Sequence, residues 1–279
     1  MNTATVGHAG AANALPHFSS RALNAAAKSW FVVAVSGQMI FLSYIIAYYL
    51  RSAVQGDFGA WNKLLVSGHI AGDAANNAAI ISHIFIAAFV TLAGPLQLIP
   101  AIRARFPTFH RWTGRLYLVT AVVASIAGLF LVWARQPSGS FLQHVAISVN
   151  ALLIIGAAWF VVRHAMARQL ATHRRWALRL FLLVSGSWFF RVGLMFWIAI
   201  NGGPVGFDPK TFLGPALEVI SFLQFLLPLA VLELYFRAKA SPSPAFRMST
   251  AGTLFLMTAA MGLGILVASK GMWLPYIGR

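Results

Sequence analysis

The chain has 279 residues, of which 59% are hydrophobic and only 9% are charged, and its mean hydropathy is +0.75. Soluble domains carry about 25% charged residues, so this composition excludes a soluble globular protein and indicates a protein embedded in the lipid bilayer. The net charge of +16 would suggest a nucleic-acid partner in a soluble protein, but none is expected here. Cysteine is absent, which excludes disulfides, thiolate metal sites and a cysteine nucleophile.

Seven apolar stretches are long enough to cross a bilayer, because about 20 apolar residues in a helix span ~30 Å of hydrocarbon. In chain order they cover approximately residues 30–50, 78–102, 114–133, 141–162, 176–200, 212–236 and 249–269. The first is not expected to be a cleaved signal peptide, since its apolar run is long and follows 29 other residues. The sequence therefore predicts an all-α, multi-pass integral membrane protein with seven transmembrane helices.

The basic residues are distributed unevenly between the two sides of these spans. With a cytoplasmic N-terminus, 14 of the Lys and Arg residues fall in inner segments, 6 fall in outer segments, and Arg191 falls within the fifth span. Lys and Arg favour cytoplasmic loops, so the asymmetry predicts an N-in, C-out orientation. We expect residues 1–28 to be a flexible cytoplasmic tail, 29–270 a single transmembrane domain and 271–279 a short outer tail.

The segment 51–77 is the only long outer loop that this topology predicts. It contains Trp61, Leu64 and Leu65, which look amphipathic, and the polar residues His69 and Asp73. His69 and Asp73 are four residues apart, so on a helix they would share one face and could contact a metal or a substrate. Solvation of both side chains in the loop is the alternative.

A repeated hairpin occupies the second to fifth spans, residues 78–201. His83 is followed 27 residues later by His110, and His144 is followed 29 residues later by His173. The second histidine of each pair precedes the same pattern, Arg-Trp-x-x-Arg-Leu-aromatic. The repeat predicts a four-helix core built from helices 2–5, with functional groups inside it.

The four histidines fall at two depths in this core. His83 and His144 lie 20 and 19 residues before the next arginine on the inner side, which is ~30 Å in a helix, whereas His110 and His173 begin the ascending helices. Paired imidazoles at equal depth are the ligands that a bis-histidine haem iron requires. The alternatives are hydrogen-bonded polar side chains for the outer pair and interfacial anchors for the inner pair. If only the outer pair binds, there is one haem rather than two.

Three arginines are candidate partners of such a cofactor. Arg191 lies 18 residues after His173, which would place both on one face of a continuous fifth helix. An arginine within the membrane is a functional-site hypothesis by default; it would pair with a haem propionate or, alternatively, with Glu218. Arg115 and Arg179 in the inner clusters would neutralise propionates or bind a quinone headgroup, unless they only determine topology.

The motif residues of the second and third spans also carry a family resemblance. They are His83, Gly94-Pro95-x-Gln97, Arg103 and His110-Arg111-x-x-Gly114-Arg115-x-Tyr117. This pattern resembles a bacterial family of predicted multi-spanning membrane proteins, the domain-of-unknown-function family 2306, over roughly residues 40–200. The resemblance implies membership and no particular chemistry.

A second resemblance concerns the arrangement of the histidines. It is similar to that of cytochrome b-561, in which four central helices hold two b-type haems and pass electrons across the membrane. The resemblance implies that His83 with His144 would hold an outer haem b and His110 with His173 an inner one. The inner histidines depart from that pattern because they lie at helix starts beside arginines.

The preferred functional prediction is transmembrane electron transfer through haem b in the inner membrane of a bacterium. Such a protein would be a membrane oxidoreductase if it is an enzyme at all. No dinucleotide motif such as G-x-G-x-x-G after a strand is present, so the redox partner would be a quinone, a small molecule or another protein. The alternatives are a cofactor-free transporter or sensor, in which the histidines, Arg191, Glu218 and Glu233 act as polar or proton-relay groups, and an assembly or scaffold subunit.

Overall fold

The computed structural model describes residues 7–63, 69–134 and 139–277. These residues form helices and connecting turns, and an isolated bridge between Asp208 and Leu213 is the one β-type pairing among them. The helices are α1 (Gly7–Ile45), α2 (Arg51–Val54), α3 (Ala74–Leu98), α4 (Pro100–Arg105), α5 (Pro107–Ala134), α6 (Phe141–Met166), α7 (Leu170–Val184), α8 (Gly186–Asn201), α9 (Pro215–Ala240), α10 (Pro244–Ala268) and α11 (Leu274–Ile277). Short π-helical segments follow α1 and α10, at Ile46–Leu50 and Ser269–Trp273, and a 3₁₀ segment covers Phe58–Lys63. The predicted all-α class is confirmed.

Six helical segments in the described ranges are long and apolar enough to cross a membrane. They cover residues 17–54, 80–98, 107–133, 141–166, 215–240 and 244–277. Many of their large apolar side chains face outward, including Val119, Phe130 and Leu256, as expected where lipid is the solvent. Helices suit this solvent because each one bonds its own backbone groups internally. The chain is therefore a multi-pass membrane protein.

The predicted fifth span, residues 176–200, is not one helix. α7 ends at Val184 and α8 begins at Gly186, and the two are bent by 56°. The break falls on Ser185-Gly186-Ser187, where serine hydroxyls compete for backbone hydrogen bonds and glycine weakens the helix. A seventh crossing exists only if α7 and α8 count as one span. The prediction that Arg191 shares one continuous helix face with His173 was wrong.

The helices pack in two groups on either side of this break. α3, α5, α6 and α7, the segments of the predicted core, contact one another in a ring. Its interior includes the small residues Ala93, Ala121 and Ala157 beside Tyr117, and small residues allow close helix packing in lipid. The second group joins α8 and α1 to α10. α7 and α8 therefore belong to different packing groups.

Parts of both predicted tails pack against the rest of the protein. Residues 17–28 were predicted to belong to a flexible tail, but they lie within α1, and Leu23 and Ala26 are buried in a cluster with Ala238 of α9 and Leu254 of α10. This stretch continues the apolar face of α1 and is rich in alanine, the best helix former. In the predicted C-terminal tail, Trp273 is only 1% exposed. The flexible-tail prediction was wrong for residues 17–28.

The predicted outer loop contains short helices rather than one amphipathic face. His69 and Asp73 are separated by a turn at residues 71–72, and α3 begins only at Ala74, so the two side chains do not share a helix face as predicted. The His69 ring stacks on Phe58 at a centroid distance of 5.3 Å. Leu64 and Leu65 lie outside the described residues.

The contact between α8 and α10 depends on Gly264. A Cβ atom there would overlap the carbonyl oxygen of Val192 and lie 2.8 Å from its Cγ1. We expect Gly264→Ala to lower the unfolding free energy by about 1–3 kcal/mol, because the two helices must separate. Thermal unfolding in detergent, followed by tryptophan fluorescence, measures the change. Gly252→Ala is the matched control, since nothing lies within 4 Å of its added Cβ; equal losses in both variants would contradict the assignment.

Candidate functional site

A polar cavity of about 80 Å³ lies beside the break between α7 and α8. α1 and α3 form its other walls. The residues that bring polar groups to it are Gln38 of α1, His83 and Thr91 of α3, and Ser185, Ser187, Trp188 and Arg191 around the break. All these elements are in or beside membrane-spanning segments. The structure therefore places a cluster of polar groups within the membrane.

Side chains from neighbouring helices satisfy the polar groups at the break. Asn150 of α6 donates from Nδ2 to the carbonyl oxygen of Leu183 at 3.3 Å, and Gln38 donates from Nε2 to Ser185 Oγ at 3.1 Å. Gly186 permits this packing, since a Cβ there would lie only 3.0 Å from Asn150 Nδ2. Backbone groups freed in a membrane need such partners. The break is thus a supported feature of the fold.

Arg191 provides a positive charge at this cavity. Its Nη1 donates to the backbone carbonyl of Ser187 at 2.8 Å, and its guanidinium lies over the Phe41 ring at 5.5 Å. Among the described residues no carboxylate is within ion-pair distance of Arg191, so the alternative pairing with Glu218 is not formed. A cation in a membrane segment is costly, and the contacts described for this one are with a backbone carbonyl and an aromatic ring.

Two buried atoms at the cavity have no hydrogen-bond partner in the part of the chain that is described. They are Oε1 of Gln38 and Nε1 of Trp188, and both residues are only 2% exposed. Buried polar atoms are nearly always paired with protein, water or a ligand. Among the residues that line the cavity, one acceptor and one donor therefore lack a partner in the described structure.

The predicted outer histidine pair separates into two environments. His83 lines the cavity with Arg191 and is close enough to it for an electrostatic interaction. His144 instead lies against Trp133 of α5, with ring centroids 6.4 Å apart, and α5 packs against both α3 and α6. The contacts described for the two histidines share no residue. Haem ligation by His83 with His144 stays a prediction.

The predicted inner pair is brought together more closely. His110 lies within electrostatic range of both His173 and Arg103. His173 Nδ1 is 3.0 Å from the carbonyl oxygen of Val161, whereas Nδ1 of His110 is buried without a partner in the described structure. Within the described ranges, no group of three or more His, Asp or Glu side chains could hold a metal ion.

The two other predicted arginines have protein partners. Arg179 forms an ion pair with Glu233 of α9, with Nη2 and Nε at 2.6 Å and 2.7 Å from Oε1. Arg115 is exposed and lies over the ring of Trp112 at 5.1 Å. The charge of Arg179 is thus neutralised within the protein. Their binding of propionates or a quinone stays a prediction.

A second and larger cavity, of about 690 Å³, lies between α1, α7, α8, α9 and α10. Its lining is almost entirely apolar, with large side chains such as Trp30, Phe189 and Trp197. Gln224 and Tyr235 are its polar exceptions. In a bilayer such a space suits hydrocarbon chains.

Several residues of the polar cavity were missed at the sequence level. Gln38 is a polar residue in an apolar span, and Ser185-Gly186-Ser187 interrupts another. Interrupted apolar segments mark binding sites in many transporters, so this signal was available. Nothing in the sequence indicated that Trp188 would line the cavity or that Asn150 would support the break.

Comparison with known proteins identifies a family match that contains this site. The family model described as "Predicted membrane protein (DUF2306)" matches residues 80–236. The matched region includes His83, the break and Arg191, but not Gln38. No curated protein and no solved structure matches the chain.

The support of the break by Asn150 can be measured. Asn150→Ala removes the donor to Leu183, and we expect a loss of about 0.6 kcal/mol and at most about 1.7 kcal/mol, the average and the maximum for side-chain hydrogen bonds between membrane helices. Asn201→Ala is the control, because Asn201 is exposed at the end of α8 and bonds only within its own helix. Equal melting temperatures of the two variants in detergent would show that the Asn150 bond does not stabilise the break.

Proposed function

The chain belongs to the DUF2306 family of predicted membrane proteins, and from that premise we propose that it moves a small polar solute across the membrane through the cavity at the α7–α8 break. The observation that carries the proposal is a supported helix break beside an arginine that has no carboxylate partner among the described residues. This is the cofactor-free alternative among the functions that the sequence predicts, with His83 and Arg191 as polar groups of the pathway.

The position of the break supports transport. α7 has 15 residues and α8 has 16, so the break lies ~23 Å along the pair from either end, near the middle of the membrane. Discontinuous helices that meet near the midplane form the solute sites of many secondary transporters. A break there lets two packing groups tilt against each other, and it exposes polar groups that a continuous helix would bury.

Orientation forms a second part of the proposal. We place the arginine-rich end, where α5 and α7 begin, in the cytoplasm, because 14 basic residues fall on that side. With α7 and α8 as one broken crossing, the seven crossings put the N-terminus inside and the C-terminus outside. The solute would then pass between these sides through the cavity.

The inner histidines favour a second candidate function, electron transfer through haem b. A hydrogen bond from Nδ1 to a backbone carbonyl, as between His173 and Val161, orients a metal-ligating imidazole and leaves Nε2 free. His110 lies nearby with an unpartnered buried nitrogen, and Arg103 could meet a propionate. His110 and His173 would hold the haem, which would supply one-electron chemistry. A quinone partner would find an apolar space in the 690 Å³ cavity.

Labelling of introduced cysteines tests the transport proposal without background labelling, because the chain contains no cysteine of its own. We expect Ser187→Cys, at the cavity, to react with a membrane-impermeant methanethiosulfonate from either side of sealed vesicles, since a transport site opens to both. Reaction from one side only would indicate a sensor, and no reaction from either side would contradict aqueous access.

Three further single-cysteine variants serve as controls for this experiment. Ser243→Cys, between α9 and α10, and Gly203→Cys, just after the end of α8, should each react from one side, with Ser243→Cys reporting the cytoplasm. Val119→Cys is 61% exposed on a membrane-spanning helix and should stay unreactive to an impermeant reagent from both sides. Labelling of Ser243→Cys from outside would overturn the proposed orientation.

Absorption spectroscopy tests the second candidate function, electron transfer through haem b. If haem b is bound, protein expressed with ample haem will show a Soret band and a sharp reduced α-band. His173→Ala should abolish both, while His164→Ala should keep them, because His164 contacts Gln169 and Phe160 instead. His83→Ala and His144→Ala report on an outer haem in the same way. A colourless protein would eliminate the electron-transfer function.

A further inference from the structure

We propose that the solute of the polar cavity is a small monocarboxylate of two or three carbons, bound by Arg191. This inference rests on the proposed function, because it uses the same cavity, and it adds the chemical class of the ligand. The cavity combines one positive charge, unpartnered polar atoms and a short apolar wall within about 80 Å³.

Charge selects a monovalent anion. No carboxylate of the described chain lies within ion-pair distance of Arg191, and His83, the other titratable group lining the cavity, carries no negative charge in either protonation state. When His83 is neutral, a single bound carboxylate would neutralise the guanidinium, whereas a cation or a dianion would leave a net charge in the membrane. Uncompensated charge there is strongly disfavoured.

The polar groups select a carboxylate among the monovalent anions. Arg191 uses Nη1 for the Ser187 carbonyl, and its remaining N–H groups can donate in parallel to two carboxylate oxygens. Nε1 of Trp188 is a further buried donor without a partner in the described structure. The amide of Gln38 can exchange roles with the Ser185 hydroxyl, which would turn its N–H group toward the cavity. Chloride cannot use the planar fork of the guanidinium in this way.

The remaining wall selects a short alkyl tail. Ala87 and Val90 of α3 and Val184 of α7 contribute apolar surface to the same cavity. Each water needs roughly 10–15 Å³ of such volume, so the space of about 80 Å³ accommodates roughly five to eight heavy atoms. Acetate and propionate match this size, with the charged end at Arg191 and the methyl or ethyl group against the apolar wall.

Ligand-dependent thermal stability of the purified protein tests the assignment. We expect sodium propionate to raise the melting temperature saturably, and we expect sodium chloride at equal ionic strength and the neutral isostere propionamide to have no saturable effect. Arg191→Gln should weaken propionate binding about tenfold or more, because a charge-assisted contact is lost. Trp188→Phe keeps the ring packing but removes the donor, and should weaken binding about threefold to tenfold.

Two further variants separate a loss of propionate binding from a loss of folding. Arg105→Gln, an exposed arginine of α4, should bind propionate like the wild type, and Arg191→Lys serves if Arg191→Gln does not fold. Equal stabilisation by chloride, or an unchanged response in folded Arg191 variants, would overturn the carboxylate assignment. So would the absence of any propionate effect. If propionate has no effect but Ser187→Cys is labelled from both sides, the transport function stands with a different solute. If propionate has no effect and Ser187→Cys is unlabelled, both the carboxylate assignment and the transport function are contradicted.

Discussion

The structure depends on one constraint of the bilayer, that backbone groups without water must find partners inside the protein. Continuous helices meet it by themselves, but the α7–α8 pair does not, because it is interrupted at Ser185. Gln38 and Asn150, from two other helices, supply hydrogen bonds at the interruption. The polar cavity lies beside the break with Gln38 in its wall, and Arg191 lies about one and a half turns further along α8.

Composition was sufficient to predict the membrane class and the approximate position of the spans, because hydrophobicity adds up along a segment whatever its neighbours are. It could not reveal the break. Ser185, Gly186 and Ser187 are three small residues inside a long apolar run, and an average over the run hides them. The buried part of the predicted tail was missed for a related reason, since Leu23 and Ala26 become apolar contacts only when α9 and α10 lie beside them.

The candidate site was predictable in part. The energetic cost of an arginine in the membrane singled out Arg191, and helix rise placed His83 at a similar depth, which agrees with their shared cavity. Depth does not determine which way a side chain points around its helix. His83 and His144 were therefore predicted to lie at one depth, while the contacts described for them involve different residues. The cavity itself needs three-dimensional packing, because Gln38 is about 150 residues away from Ser185 in the chain.

The close contact of Gly264 with Val192 has a mechanical consequence. The absence of a side chain at Gly264 lets α10 approach Val192 of α8 closely, while α7 packs against α6 in the other group. The two helices of the α7–α8 pair therefore have different main neighbours on the two sides of Ser185, and α9 packs against both of them. A change of the 56° bend between α7 and α8 would therefore displace α6 relative to α10, as long as each keeps its contact with its half of the pair.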